Sequence, residues 1–162
     1  MIARTITHAT FVLERRYPVP RAKVFHAWSD PAAKKRWFVG PDEWGRSRFD
    51  LDFRIGGREV NAGGPPGGPV HIFNAVYQDI VKDERIIYAY DMHLDQIRTS
   101  VSLAPIELQP DGDGTRLGFT EQGAFPDGFD DPGLRERGTA DLLDALGASL
   151  IETNPAAPGG RS

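Results

Sequence analysis

The stretch PGLRERGTADLLDALGASLIE, residues 132–152, contains the one long helical pattern of the sequence and decides the fold. Its apolar residues recur at intervals of three and four, which places them along one face of an α-helix. This stripe consists of Leu142, Leu143, Leu146 and Leu150, and Asp141 and Asp144 lie outside it. The spacing therefore predicts a long amphipathic helix that buries one face against the rest of the chain.

Two glycines, Gly138 and Gly147, interrupt this predicted helix. Inside a helix each glycine costs about 1 kcal/mol relative to alanine. Such a cost points either to close packing of the helix backbone against a neighbour or to space that is left open beside it.

Upstream of residue 132 the apolar pattern changes to a period of two, which is typical of half-buried β-strands. Alternation over residues 11–17 predicts a first strand. Two short helices follow, and Asp30 with Pro31 forms a cap and a first turn for the second of them. Further strands are expected at residues 49–55, 58–62, 70–81, 85–93, 99–108 and 115–122.

Pro105 interrupts the strand that is predicted over residues 99–108. Proline lacks an amide proton, and Val101 and Leu103 are out of phase with Ile106, so we expect a bulge or an edge strand here. If VSLAPIEL is an exposed edge, pairing between two copies of it would give a homodimer.

This order of elements predicts an α+β helix-grip fold, in which a curved antiparallel β-sheet wraps around the long C-terminal α-helix and two short helices follow strand 1. A helix that is gripped by a curved sheet encloses space, which is filled by side chains or by a ligand. We expect a single domain over residues 1–152. The small residues, prolines and glycines of 153–162 predict a flexible C-terminal tail.

Composition restricts the function classes. The 162 residues include 19 Lys and Arg, 23 Asp and Glu and no cysteine, with a net charge of -4. Such a balance disfavours nucleic-acid binding, and the lack of cysteine removes disulfides and thiolate chemistry. Because charges break every apolar run near the N-terminus, we expect no signal peptide and no membrane span, and a cytoplasmic protein.

The glycine-rich segment at residues 56–68 does not have the context of a phosphate-binding loop. Such a loop places its glycines between a strand and the N-terminus of a helix. Here the glycines lie between two predicted strands, with no G-x-G-x-x-G and no GK[ST]. We interpret the segment as a bulge followed by a turn, and we expect no nucleotide or other cofactor.

Polar residues with catalytic potential are few. None of the histidines, His8, His26, His71 and His93, has the spacing of a metal site. His93 beside Asp91 is the best candidate for proton transfer, and Glu121 is a further carboxylate that could be buried. Asp50 and Asp52 share their strand face with Arg54, which indicates a solvated ladder of charges.

Aromatic residues are the most informative group, because aromatic and methionine side chains with a few polar tips form concave apolar sites. The same aromatic side chains also fill an ordinary hydrophobic core. The predicted ligand-binding residues are Trp37, Phe38, Trp44, Phe53, Tyr88, Tyr90, Met92 and Phe119, facing Leu142 and Leu146.

The chain resembles a known family in five successive blocks. These are YPVPRAKVFHAWSDPAAKKRWF, FDLDFRIGGR, ERIIYAYDM, GTRLGFTEQGAF and RERGTADLLDALGASL. They are similar to the bacterial proteins related to the activator of the ninety-kilodalton heat-shock chaperone ATPase, within the START-like (SRPBCC, Bet v 1-like) superfamily. The match covers about residues 11–152, and Trp37 together with Asp52, Arg54, Gly56 and Gly57 is specific in combination.

The resemblance implies a helix-grip fold with a cavity that, in relatives, accepts hydrophobic or aromatic small molecules. Those relatives include lipid carriers, hormone receptors, aromatic polyketide cyclases and a co-chaperone domain, so the fold alone does not choose a function. Our leading hypothesis is binding of a small hydrophobic molecule. The alternatives are a co-chaperone whose partner is a chaperone, and a cyclase or hydrolase of an aromatic ketide-like substrate that uses His93, Asp91 or Glu121.

Overall fold

The computed structural model describes residues 3–38 and 44–152, so the tail predicted at 153–162 lies outside the described residues. The elements are β1 (Ile6–Tyr17), α1 (Arg21–Ser29), α2 (Pro31–Lys35), β2 (Gly45–Leu51), β3 (Arg58–Gly64), β4 (His71–Val81), β5 (Arg85–Leu94), β6 (Ile97–Asp111), β7 (Gly114–Pro126) and α3 (Pro132–Glu152). The glycine- and proline-rich segment between β3 and β4 therefore joins two strands, as predicted.

The strands form one antiparallel sheet of seven strands in the order β1-β7-β6-β5-β4-β3-β2. Apart from the β1–β7 pair, neighbouring strands are consecutive in the sequence, and β1 reaches β7 along its whole length. The concave face of the curved sheet holds the core, and α3 packs on it with Leu143, Leu146 and Leu150 buried. The predicted α+β helix-grip fold is confirmed.

The second short helix begins where the sequence predicts. The Asp30 carboxylate accepts a hydrogen bond of 2.9 Å from the backbone N–H of Ala33, and Pro31 occupies the first turn of α2. An N-cap of this kind satisfies an amide that the helix itself leaves without a partner. It fixes the start of α2, which places the following residues over the sheet.

The strand predicted over residues 49–55 is wrong at its C-terminal end, because β2 stops at Leu51. The next residues form a compact turn in which the amide of Arg54 donates to the carbonyl of Asp52 at 3.0 Å. A Cβ atom at Gly57 would lie 2.0 Å from that carbonyl, so the turn requires glycine there. Ile55, the last residue of the predicted strand, is 58% exposed.

The prediction of a bulge or an edge at Pro105 is also wrong. β6 is an interior strand between β5 and β7, and Pro105 keeps a regular register with Ile87. Val101 and Leu103 are out of phase with Ile106 because they lie on the outer face of the sheet, where they are exposed. Since VSLAPIEL is not an edge, a homodimer that pairs through it is ruled out.

Lys34 anchors α2 to the sheet through a buried ion pair. Its side chain is fully buried, and Nζ lies 2.6 Å from Glu59 Oε1 on β3. The Tyr77 hydroxyl on β4 donates to the same oxygen at 2.5 Å, and the Lys34 ammonium donates to that hydroxyl at 3.3 Å. Burial lowers the pKa of Lys34, and the charge of Glu59 opposes this shift.

Aromatic rings surround the ammonium of Lys34. Their centroids lie between 4.4 and 6.0 Å from Nζ. The rings belong to Trp28, Trp37, Phe38, Phe73, Tyr77 and Tyr88. A cation attracts the electron-rich faces of aromatic rings, and the attraction grows when water is excluded. The buried cation therefore orders the aromatic side chains of this half of the core.

Gly138 and Gly147 of α3 each match one of the two explanations that the sequence leaves open. A Cβ atom at Gly138 would meet nothing within 4 Å, whereas one at Gly147 would lie 3.0 Å from the ring of Tyr17. The Tyr17 hydroxyl donates to the carbonyl of Leu143 at 2.8 Å, which holds the ring in place. Gly147 thus serves close packing, and Gly138 borders open space.

We expect the ion pair of Lys34 and Glu59 to be strongly coupled. Lys34→Met or Glu59→Gln alone should lower the free energy of unfolding by about 3–5 kcal/mol, because each leaves one buried charge without its partner. The double variant should lose clearly less than the sum of the two single losses. Urea unfolding of the four proteins measures this, and additive losses would contradict the assignment.

Substitution by alanine should change the free energy of unfolding differently at Gly138 and at Gly147. Gly138→Ala should raise the free energy of unfolding by about 0.5–1 kcal/mol, since alanine is the better helix former and its methyl group meets no neighbour. Gly147→Ala should gain less or lose stability, because its methyl group presses on the fixed Tyr17 ring. Thermal unfolding of both variants tests this; equal gains would refute the packing role of Gly147.

Candidate ligand-binding cavity

An open cavity of about 1040 Å³ lies between the concave face of the sheet and α3. Its walls come from α1, from the segment that follows α2, from strands β3 to β5 and β7, and from α3. Small-molecule sites typically occupy about 300–1,000 Å³ and are mostly apolar. The space beneath α3 is therefore not filled by side chains, and it has the size of a small-molecule site.

Most of the predicted ligand-binding residues line this cavity. The aromatic members are Trp37, Phe38, Trp44, Tyr88, Tyr90 and Phe119. Met92 and Leu142 line it as well. The ring of Trp44 stacks on the imidazole of His71 with centroids 4.7 Å apart. The alternation of β5 explains why three of these residues meet, because Tyr88, Tyr90 and Met92 all project from its concave side.

Phe53 and Leu146 lie outside the lining, which corrects the predicted set. Because β2 stops before Phe53, the ring of Phe53 leaves the sheet. It packs edge-on against the rings of Phe25 and Tyr77, with centroid separations of 5.6 and 4.9 Å. Leu146 is fully buried in the core between α3 and the sheet. Whether the remaining predicted residues bind a ligand stays a prediction.

Several lining residues were not among those predicted from the sequence. Phe73 on β4 pairs directly with Met92, so the alternation of two neighbouring strands could have identified it. Arg135 precedes Leu142 by seven residues on α3, a spacing that places both on one face. Trp28 and Asn61 also line the cavity, and no simple pattern marks either of them.

Arg135 joins the first turn of α3 to the sheet. One of its terminal nitrogens, Nη2, donates to Ser100 Oγ and to Asp130 Oδ2, both at 2.7 Å. The other, Nη1, donates to the Tyr90 hydroxyl at 3.0 Å and to Glu121 Oε2 at 3.2 Å. The guanidinium thus forms ion pairs with two carboxylates, which fixes the start of α3 over β5 to β7.

Glu121 has a structural role in this network. It is buried, accepts hydrogen bonds of 2.8 Å from the hydroxyls of Tyr90 and Ser102, and does not line the cavity. Burial raises the pKa of Tyr90, and the charge of Glu121 raises it further, so this phenol stays protonated and donates. The carboxylate is fully engaged and is separated from the cavity by the groups that bind it.

The other two acid–base candidates lie on the opposite side of the sheet. Asp91 and His93 alternate with the inward residues of β5, and Asp91 accepts a hydrogen bond of 3.3 Å from Asn74. His93 Nδ1 lies 3.5 Å from Asp91 Oδ1. The hypothesis that His93, Asp91 and Glu121 serve one reaction is therefore corrected, because the first two do not face the cavity.

Asp50 and Asp52 are solvated charges, as predicted. Asp50 forms an ion pair with Arg48, and Asp52 forms one with Arg54 at 2.9 Å. All four side chains are more than half exposed. Exposed pairs of this kind contribute little to stability.

Residues 3–38 and 44–152 contain neither a candidate metal site nor a helix that could span a membrane. No group of three or more His, Cys, Asp or Glu residues there has an arrangement that could hold a metal ion. None of the helices in the same residues has the length and apolar character that crossing a membrane requires.

Comparison with known structures supports the same architecture. A protein from Rhizobium leguminosarum is 44% identical over 92% of this chain and 98% of its own, with a TM-score of 0.87. The protein Mll3558 from Rhizobium loti is 47% identical over 90% of this chain and 99% of its own, with a TM-score of 0.84. An AHSA1-like protein from Aeromonas hydrophila shares the fold at 16% identity, 90% and 94% coverage and a TM-score of 0.68.

No curated protein matches the chain. A family model does match, over residues 18–150, and it is described as Activator of Hsp90 ATPase homolog 1-like protein. That match runs from the end of β1 to the last turn of α3, so it includes every element that lines the cavity. The chain belongs to the family of Activator of Hsp90 ATPase homolog 1-like proteins.

Proposed function

We propose that the protein binds a small hydrophobic or aromatic molecule in the cavity beneath α3. The observation that carries the proposal is a space of about 1040 Å³ that eight Phe, Tyr and Trp side chains of the described residues line. Burying an apolar ligand there gains about 25 cal/mol for each Å² of apolar surface removed from water. Rings on the walls add favourable stacking with an aromatic ligand.

The rigidity of the walls supports this proposal. Rings around the Lys34 ammonium form one wall, and the Arg135 network holds the start of α3 over the sheet. A preformed site does not have to order its side chains when a ligand enters, so less of the binding energy is lost. The cavity therefore suits a guest that binds without rearranging its walls.

A cavity-filling substitution tests the proposal. Ala145 on α3 lines the cavity, so Ala145→Phe should place a ring in the space that a ligand would occupy. Titration with the fluorescent dye 1-anilinonaphthalene-8-sulfonate should give saturable binding to the wild type. We expect the affinity of Ala145→Phe for the dye to fall at least about tenfold, the effect of losing roughly 1.4 kcal/mol.

Ala148 provides a matched control, because it lies on the same helix, is exposed and does not line the cavity. Ala148→Phe adds the same ring and should bind the dye as the wild type does. Identical binding curves for all three proteins would mean that the dye binds elsewhere, and would count against a ligand site beneath α3.

A second candidate function, activation of a chaperone ATPase, is favoured by the description of the family that the chain belongs to. It requires a protein partner in place of a small molecule. Steady-state ATP hydrolysis by a purified bacterial ninety-kilodalton chaperone, measured with and without excess protein, separates the two. Stimulation that Ala145→Phe leaves intact would support the second candidate, and an unchanged rate would exclude it.

The third hypothesis, a cyclase or hydrolase, receives no support from the described residues. Its candidate groups lie on opposite faces of the sheet, and Glu121 is enclosed by its own hydrogen-bond donors. A general acid or base has to come within hydrogen-bond reach of its substrate. The proposal of ligand binding therefore stands without a reaction attached to it.

A further inference from the structure

The hydroxyl group of Tyr88 differs from those of the other tyrosines. Tyr77 and Tyr90 each donate to a buried carboxylate, and Tyr17 donates to a backbone carbonyl. Tyr88 is only 3% exposed, yet within residues 3–38 and 44–152 its hydroxyl makes no hydrogen bond. Because buried polar groups are almost always hydrogen-bonded, this hydroxyl requires an explanation.

The position of the Tyr88 hydroxyl suggests an explanation for its missing hydrogen bond. The enclosed side-chain atoms that lack a partner in the described part of the chain are Trp28 Nε1, Glu59 Oε2 and His93 Nδ1. The Tyr88 hydroxyl is not among them, so it retains accessible surface. Tyr88 lines the cavity, and its surroundings are otherwise packed. The accessible surface of the hydroxyl therefore faces the cavity.

The hydroxyl of Tyr88 can act as a hydrogen-bond donor towards the cavity. Burial raises the pKa of Tyr88 well above its usual value, and the neighbouring charges of Glu121 and Glu59 add to the effect, so the phenol remains protonated. Trp28 lines the same cavity, but its Nε1–H is enclosed and has no acceptor among the described residues. The rings of Trp28 and Tyr88 both lie within 6 Å of the Lys34 ammonium, with centroids at 5.3 and 5.8 Å, so both belong to the aromatic group around that charge.

We propose that Tyr88 determines specificity by donating a hydrogen bond to an acceptor oxygen, such as a ketone carbonyl, on a flat aromatic ligand. This inference rests on the proposed binding function and specifies its ligand class. Water can satisfy the hydroxyl in the free protein, and the ligand oxygen takes its place on binding. A ligand without such an oxygen leaves the donor unpaired, which is how polar groups in a cavity discriminate between close analogues.

Two tricyclic probes test this inference, fluorene and 9-fluorenone, which differ by one carbonyl oxygen. Their affinities follow from displacement of bound 1-anilinonaphthalene-8-sulfonate. Hydrophobicity alone favours fluorene, whereas a hydrogen bond from Tyr88 should make 9-fluorenone bind about threefold to tenfold more tightly to the wild type. Tyr88→Phe removes only the hydroxyl and should abolish this preference while leaving the affinity for fluorene within about twofold.

Tyr17→Phe is the matched control, because it removes a hydroxyl that bonds to Leu143 and does not line the cavity. It should keep the preference for 9-fluorenone. The Tyr88→Phe protein should unfold at the wild-type temperature or above, since the lost hydroxyl has no partner within the described residues.

The outcomes separate the two proposals. Equal affinity of the wild type for both probes, or a preference that survives in Tyr88→Phe, would overturn the role of Tyr88 and leave the binding function standing. If neither probe displaces the dye, the binding function fails for aromatic molecules and the inference about Tyr88 fails with it. The wild-type comparison alone remains decisive if a variant does not fold.

Discussion

The buried ion pair between Lys34 and Glu59 is the interaction on which the cavity depends. A lysine ammonium loses its hydration when it is buried, and only a close carboxylate together with electron-rich rings compensates for that loss. The pair lies 2.6 Å apart and joins α2 to β3. Five of the six rings around the ammonium also line the cavity. One charge therefore fixes both the position of α2 and the aromatic wall.

Two contacts hold α3 at a distance from the sheet. Arg135 fixes its first turn through Tyr90 and Glu121, and the hydroxyl of Tyr17 holds the carbonyl of Leu143 further along. Between these contacts, Gly138 presents no side chain to the space below. The cavity is thus the part of the concave face that the anchored helix does not fill, and it exists because the helix is tied at two places.

Periodicity was sufficient to predict the architecture from sequence, because alternation in strands and the leucine stripe of α3 are local signals. Local signals do not reveal that the chain turns after Leu51. Alternation continued past that point places Phe53 in the cavity, where the structure does not have it. Local signals also gave no sign that Lys34 would be buried, since a lysine in a short, charged helix usually faces water. Its burial depends on Glu59, a partner 25 residues away. Arg135 escapes prediction for a similar reason, because its partners lie on three strands and on the loop before α3.

NMR of methyl groups in the saturated complex tests most directly whether a ligand enters the space between the sheet and α3. With 9-fluorenone as the titrant, the methyl signals of Met92 and Leu142, which line the cavity, should shift in a saturable manner. Those of Val101 and Leu103, which are exposed on the outer face, should remain in place. Saturable shifts confined to the outer face, or no shifts at either face, would contradict the account.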